Sequence, residues 1–96
     1  MAYAKKPDWI DARCKCALSL NWNGQQSEAL EVIEASIKEL GENWEFLACN
    51  AIINAIIEID WKADLIKAEE TAKSKNEVCK FKQFIRKYGG RLSDQV

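Results

Sequence analysis

An all-α fold is expected from three observations. Apolar residues recur at three- and four-residue steps through most of the chain, strict alternation never persists, and glycine-containing turns at Asn23-Gly24, Gly41 and Gly89-Gly90 separate the periodic stretches. Ninety-six residues suffice for one domain with its own core, because a chain of this length buries roughly two thirds of its unfolded surface. The expected architecture is a compact bundle of four to five antiparallel helices over residues 1–90, followed by a flexible tail over 91–96.

The first helix is expected from about Pro7 to Asn21. Pro7 fits an opening turn, where its missing N–H has no bond to lose, and Asp8 and Asp11 complement the positive end of the helix dipole. Trp9, Ile10, Cys14, Ala17, Leu18 and Leu20 supply the apolar positions. A second helix, from about Gln25 to Leu40, turns Ala29, Leu30, Ile33, Ser36, Ile37 and Leu40 inward, pairs Glu34 with Lys38 outside, and stops at a left-handed Gly41.

Asn43 then caps the central element. From Trp44 to Trp61 thirteen of eighteen residues are apolar and occupy nearly the whole circumference of a helix, so this segment must be surrounded by its own chain or by another copy. Asn50, Asn54 and Glu58 form its only polar stripe and interrupt it too often for a membrane span of about 20 apolar residues. Asp60 caps a fourth helix from about Trp61 to Ala72, before Ser74 and Asn76 weaken the helical signal. The fifth, from about Glu77 to Tyr88, gathers Val78, Phe81, Phe84, Ile85 and Tyr88 on one face and most of its basic residues on the other.

The net charge of −1 hides a segregation. Ser27 to Asp60 holds eight acids against Lys38 alone, whereas Lys73 to Arg91 holds seven bases against Glu77 alone. Such polarity serves an acidic or nucleic-acid partner, or steers two halves or two copies together. The opening MAYAKKPDWID lacks the apolar stretch and cleavage site of a secretory signal, and the four cysteines read as buried thiols of a reducing compartment, so a cytoplasmic location is expected. Cys14 and Cys16 lie about 200° apart round a helix, a spacing unsuited to one metal, and no C-x2-C pair is present.

Chemistry is scarce in the sequence. Histidine, the commonest general base near neutral pH, is absent, as are the glycine-rich phosphate loops and the G-x-S-x-G nucleophile turn. No enzymatic activity, cofactor or metal is expected.

Helix one, the Gly24 turn and helix two resemble a tetratricopeptide repeat through Ala17, Gly24, Ala29, Ile33 and Ser36, although Arg13 stands where that repeat has a large aromatic and the closing Pro is missing. An offset of 35 residues aligns Trp9 with Trp44, Cys14 with Cys49, Leu30 with Leu65, Glu34 with Glu69, Lys38 with Lys73, Glu42 with Glu77 and Phe46 with Phe81, against roughly four matches by chance. The resemblance implies two helical hairpins and a closing helix, with first-helix residues lining a groove for an extended peptide. An ordinary antiparallel bundle explains the same periodicity.

Buried amides cost about 1–3 kcal/mol each when unsatisfied, so Asn50, Asn54 and Glu58 either face a groove or bond neighbouring helices. Trp22, beside the Asn-Gly turn, suits an exposed contact point. These four are the candidate partner-binding residues. The leading expectation is a small protein–protein interaction module, an adaptor or regulator that also self-associates as a homodimer or larger homo-oligomer. A nucleic-acid-binding regulator using Lys80, Lys82, Arg86 and Lys87 is the alternative, and a small inhibitor of a larger enzyme is another.

Overall fold

Among the described residues five α-helices follow one another: α1 (Lys6–Trp22), α2 (Gln26–Leu40), α3 (Trp44–Ile56), α4 (Lys62–Ser74) and α5 (Val78–Tyr88). The structure is a computed structural model and describes residues 6–57, 60–90 and 92, among which there is no strand. α3 is the hub, with α1, α2, α4 and α5 all packed against it. The radius of gyration of 12.4 Å is about that of a compact domain of this length.

Nine residues of α3 are buried, from Trp44 and Phe46 to Ile53 and Ala55. Three of them, Ala48, Ala51 and Ala55, are small enough to let neighbouring helices approach closely. The chain's own helices therefore cover an element whose composition suggests an exposed apolar remainder. What remains open is its last residue, Ile56, 57% exposed.

The helices are paired by polar clasps at both ends. Gln26 Nε2 donates to the main-chain oxygen of Asn21 at 2.7 Å, while Arg13 reaches Ser36 Oγ at 3.3 Å and Glu39 Oε2 at 3.0 Å, so α2 doubles back along α1. Asn54 Nδ2 donates to Asp64 Oδ2 at 3.1 Å, and Lys75 Nζ donates to Asn43 Oδ1 at 3.2 Å, which sets the same relation between α3 and α4. Ala17, Ala29, Ile33 and Ser36 are all fully buried. Arg13 lies with its guanidinium carbon 5.5 Å from the Trp9 ring centroid, so a stacked cation and a neighbouring indole occupy the region where a repeat would place an aromatic.

Several local expectations need correction. α3 ends at Ile56, short of Asp60, and its closing residues Ile52, Ile53 and Ile56 are β-branched with modest helix propensity. Asn43 starts α3 by backbone geometry only; its side-chain amide turns back to the carbonyls of Leu40 and Gly41 at 3.2 and 3.3 Å, closing α2 instead. Gly41 has φ 91° but ψ 174°, an extended conformation that only glycine adopts readily, in place of a left-handed helical cap. Left-handed terminators lie elsewhere, at Gly24 (φ 81°) after α1 and at Asn76 (φ 61°) after α4; the next N–H, of Gln25 and of Glu77, bonds the carbonyl of Leu20 at 2.8 Å and of Ala72 at 2.7 Å. No Glu34–Lys38 ion pair forms among the described residues.

Cys14 and Cys49 are buried, whereas Cys16 and Cys79 are exposed. The 200° between positions 14 and 16 explains the first case: burying one turns the other outward. Of the expected tail, Leu92 is the one described residue, and it is 1% exposed within the core, its N–H bonded to the Gly89 carbonyl at 3.0 Å.

Candidate groove between the first, third and fifth helices

Three hollows lie in a row where the 11, 15, 18, 22 stripe of α1 meets the edge of α5, and the two outer ones reach down to α3. At one end a hollow of about 280 Å³ is bounded by Ile10 and Asp11 of α1, Glu45 of α3, and Lys80, Phe84 and Lys87 of α5. A second of about 280 Å³ lies between Lys15, Leu18, Trp22 and Tyr88. The third, about 480 Å³, is framed by Trp22, Ile52, Ile56 and the main chain at Gly89-Gly90. Tyr88 borders all three.

Aromatic rings build the α5 wall. Trp44 meets Phe84 edge-on with centroids 5.6 Å apart, Phe84 meets Tyr88 at 4.9 Å, and Tyr88 meets Trp22 at 6.1 Å. Their positions follow from helical spacing, since Phe84 and Tyr88 are four apart on one face of α5. Trp22 closes the row at the last residue of α1, where the turn at Gly24 carries the backbone away and leaves the indole 61% exposed. An exposed tryptophan beside apolar hollows is the kind of side chain that dominates binding energy at interfaces.

The groove carries mixed charge. Asp11 is paired with Lys15 at 3.1 Å, Lys80 approaches Glu77 at 3.6 Å, and the Lys87 ammonium sits 5.2 Å from the Tyr88 ring centroid. Burial pushes the Glu45 carboxyl above the usual carboxylate range, and the nearby charge of Glu77 adds to the effect. Glu77 itself moves the other way, held low by the hydrogen bond from Trp44 and by the Lys80 ammonium. Beneath the groove, burial holds the Cys49 thiol well above its ordinary value, and the neighbouring Cys14 adds to the rise.

Of the residues singled out in the sequence, Trp22 lies in this groove. Asn54 does not: it bonds Asp64 across the α3–α4 contact, and at 100° per residue its side of α3 lies about 160° from the Glu45, Ile52 and Ile56 face. Asn50 shares that side, half-buried, and Glu58 falls outside the described residues. The four bases of α5 divide: Lys80 and Lys87 border the groove, and Lys82 and Arg86 lie about 130° round the helix from them.

Phe84, Tyr88, Glu45 and Ile56 were not legible as site residues. Phe84 and Tyr88 carry an apolar-face signal that suits a core position equally well, and only the partial cover of α5 by α3 exposes their edges.

Among the described residues no group of three or more His, Cys, Asp or Glu could hold a metal ion, and no helix is long and apolar enough to cross a membrane. No family model, curated protein or solved structure matches the chain. The class it belongs to is therefore that of its fold, an all-α bundle of five helices.

Proposed function

We propose that this protein is a small interaction module, an adaptor or regulator without chemistry of its own, which seats a segment of a partner protein in the groove between α1, α3 and α5. The observation carrying this reading is the row of three hollows that share Tyr88 as a border, with Phe84 at one end and the exposed Trp22 at the other. From Asp11 to Trp22 the groove follows α1 for about 16 Å, the span of roughly five extended residues. An inhibitor of a larger enzyme would use the same surface in the same way. The pairing of α1 with α2 and of α3 with α4 also supports a tetratricopeptide-like arrangement, in which the first helix of each pair and the closing helix line the concave side.

The test is affinity capture with quantitative mass spectrometry, comparing the wild type, Trp22→Asp and the control Lys62→Glu. A protein held by the wild type and the control is expected to fall about tenfold or more with Trp22→Asp, the effect of losing a hot-spot residue. Equal recovery with Trp22→Asp, at unchanged helical content, overturns the groove as the working surface.

A further inference from the structure

We propose that the chain associates with a second copy of itself, the acidic outer face of α2 in one molecule lying on the basic outer face of α5 in the other. Along α2, Glu28, Glu31, Glu34, Glu39 and Glu42, the last just beyond the helix, are all exposed and interrupted by one base, Lys38. Along α5, Lys82 and Arg86 lie about 40° apart on the side turned away from the groove, and no acid stands between Val78 and Tyr88.

Internal partners neutralise part of the acidic face and none of the basic one. Glu39 is taken by Arg13 at 3.0 Å and Glu42 by Lys67 at 2.9 Å. Among the described residues Glu28, Glu31 and Glu34 have no cation within ion-pair distance, and Lys82 and Arg86 have no carboxylate. Unbalanced acids thus lie along one helix and two unbalanced bases on one side of another. Glu31 and Glu34 are about 4.5 Å apart along α2 and Lys82 and Arg86 about 6 Å apart along α5, so two helices laid side by side bring them into register.

The two faces cannot satisfy each other within one molecule as folded. α2 packs on α1 and α3, α5 packs on α3 and α4, and no ion pair joins α2 to α5 among the described residues. A molecule carrying both signs on separate faces is complementary to its own copy, and opposed potentials of this kind speed encounter and fix orientation. The contact is charged and salt-sensitive. It does not involve the groove, so Trp22→Asp associates as the wild type does, and the failure of either reading leaves the other standing.

The experiment is weight-average mass by light scattering over a roughly hundredfold concentration range centred on the micromolar region. At low ionic strength the wild-type mass should rise above that of the 11.0 kDa chain, and near 1 M salt, where screening acts within about 3 Å, it should return to it. The variant Glu31→Lys/Glu34→Lys should stay at the single-chain mass. Adding Lys82→Glu/Arg86→Glu restores the net charge with the polarity swapped, and should restore association. A wild type that stays at single-chain mass in low salt, or a folded four-substitution variant that does so, overturns the proposal. Should that variant lose its helical signal, Glu31→Gln/Glu34→Gln decides: a loss of association of about tenfold supports the contact, and no change overturns it.

Discussion

Trp44 Nε1 donates a hydrogen bond to Glu77 Oε1 at 2.8 Å, tying the first residue of α3 to the turn between α4 and α5. Trp44 is 3% exposed, so its N–H has little access to water, and Phe81 and Phe84 both meet its ring edge-on. Trp44→Phe keeps an aromatic at this position and removes the donor. The expected cost is about 1 kcal/mol in a denaturant titration, together with a rise of the Glu77 midpoint toward its ordinary value by NMR. Because the native state holds Glu77 low, its contribution is present above the unfolded-state midpoint and lost as pH falls through the folded one. The variant should therefore lose less stability than the wild type on acidification below the usual glutamate range.

Glu45 behaves in the opposite sense. Its carboxyl is raised by burial, so the folded chain binds a proton more readily than the unfolded chain, and this site costs stability as pH rises through the unfolded and then the folded midpoint. Glu45→Gln is expected to raise the melting temperature at neutral pH and to leave it nearly unchanged near pH 3, about where both states of the wild type are protonated. An equal shift at both pH values would point to packing in place of charge.

Gly89 permits the end of α5. A Cβ there would lie 2.5 Å from the Ile85 carbonyl oxygen and 3.0 Å from its Cγ2, and both belong to the turn that Gly89 closes with its own N–H. Neither atom is the free end of a flexible side chain. Gly89→Ala is expected to cost about 1–3 kcal/mol by thermal or chemical denaturation, the range of forced local overpacking.

The cover of α3 can be read from two isoleucines three residues apart. Ile53 is fully buried and Ile56 is 57% exposed. Ile53→Ala should cost about 2–5 kcal/mol, and Ile56→Ala should stay within about 1 kcal/mol for the isolated chain. A large loss at Ile56 would mean that this end of the helix is covered in solution.

Helix periodicity was the legible part of the sequence, because Ala29, Ile33 and Ser36 repeat at the spacing of one buried face. The deep burial of α3 was legible too, since a helix apolar on most sides has nowhere else to go. Side-chain choices at the helix ends were not. Asn43 can cap the helix after it or the one before it, and only the position of α4, with Lys75 already bonded to its oxygen, settles the amide toward Leu40. The exposure of Trp22 was legible, because a large apolar residue next to an Asn-Gly turn has few neighbours. The groove around it was not, since its walls come from helices some seventy residues apart in sequence.

Asn43 has a wider consequence. Its amide closes α2, its backbone carbonyl accepts the first N–H bonds of α3, from Phe46 and Leu47, and its oxygen holds Lys75 beyond the end of α4. Chains assembled from stacked helical pairs commonly fray one pair at a time, because each pair meets only its neighbours. Here Asn43 is a shared fastening between the helix ends, and α3 behind it packs on α1, α2, α4 and α5, so the four lean on one buried helix. The unfolding transition should accordingly be a single step, with amides of α2 and α4 exchanging with solvent at the same free energy.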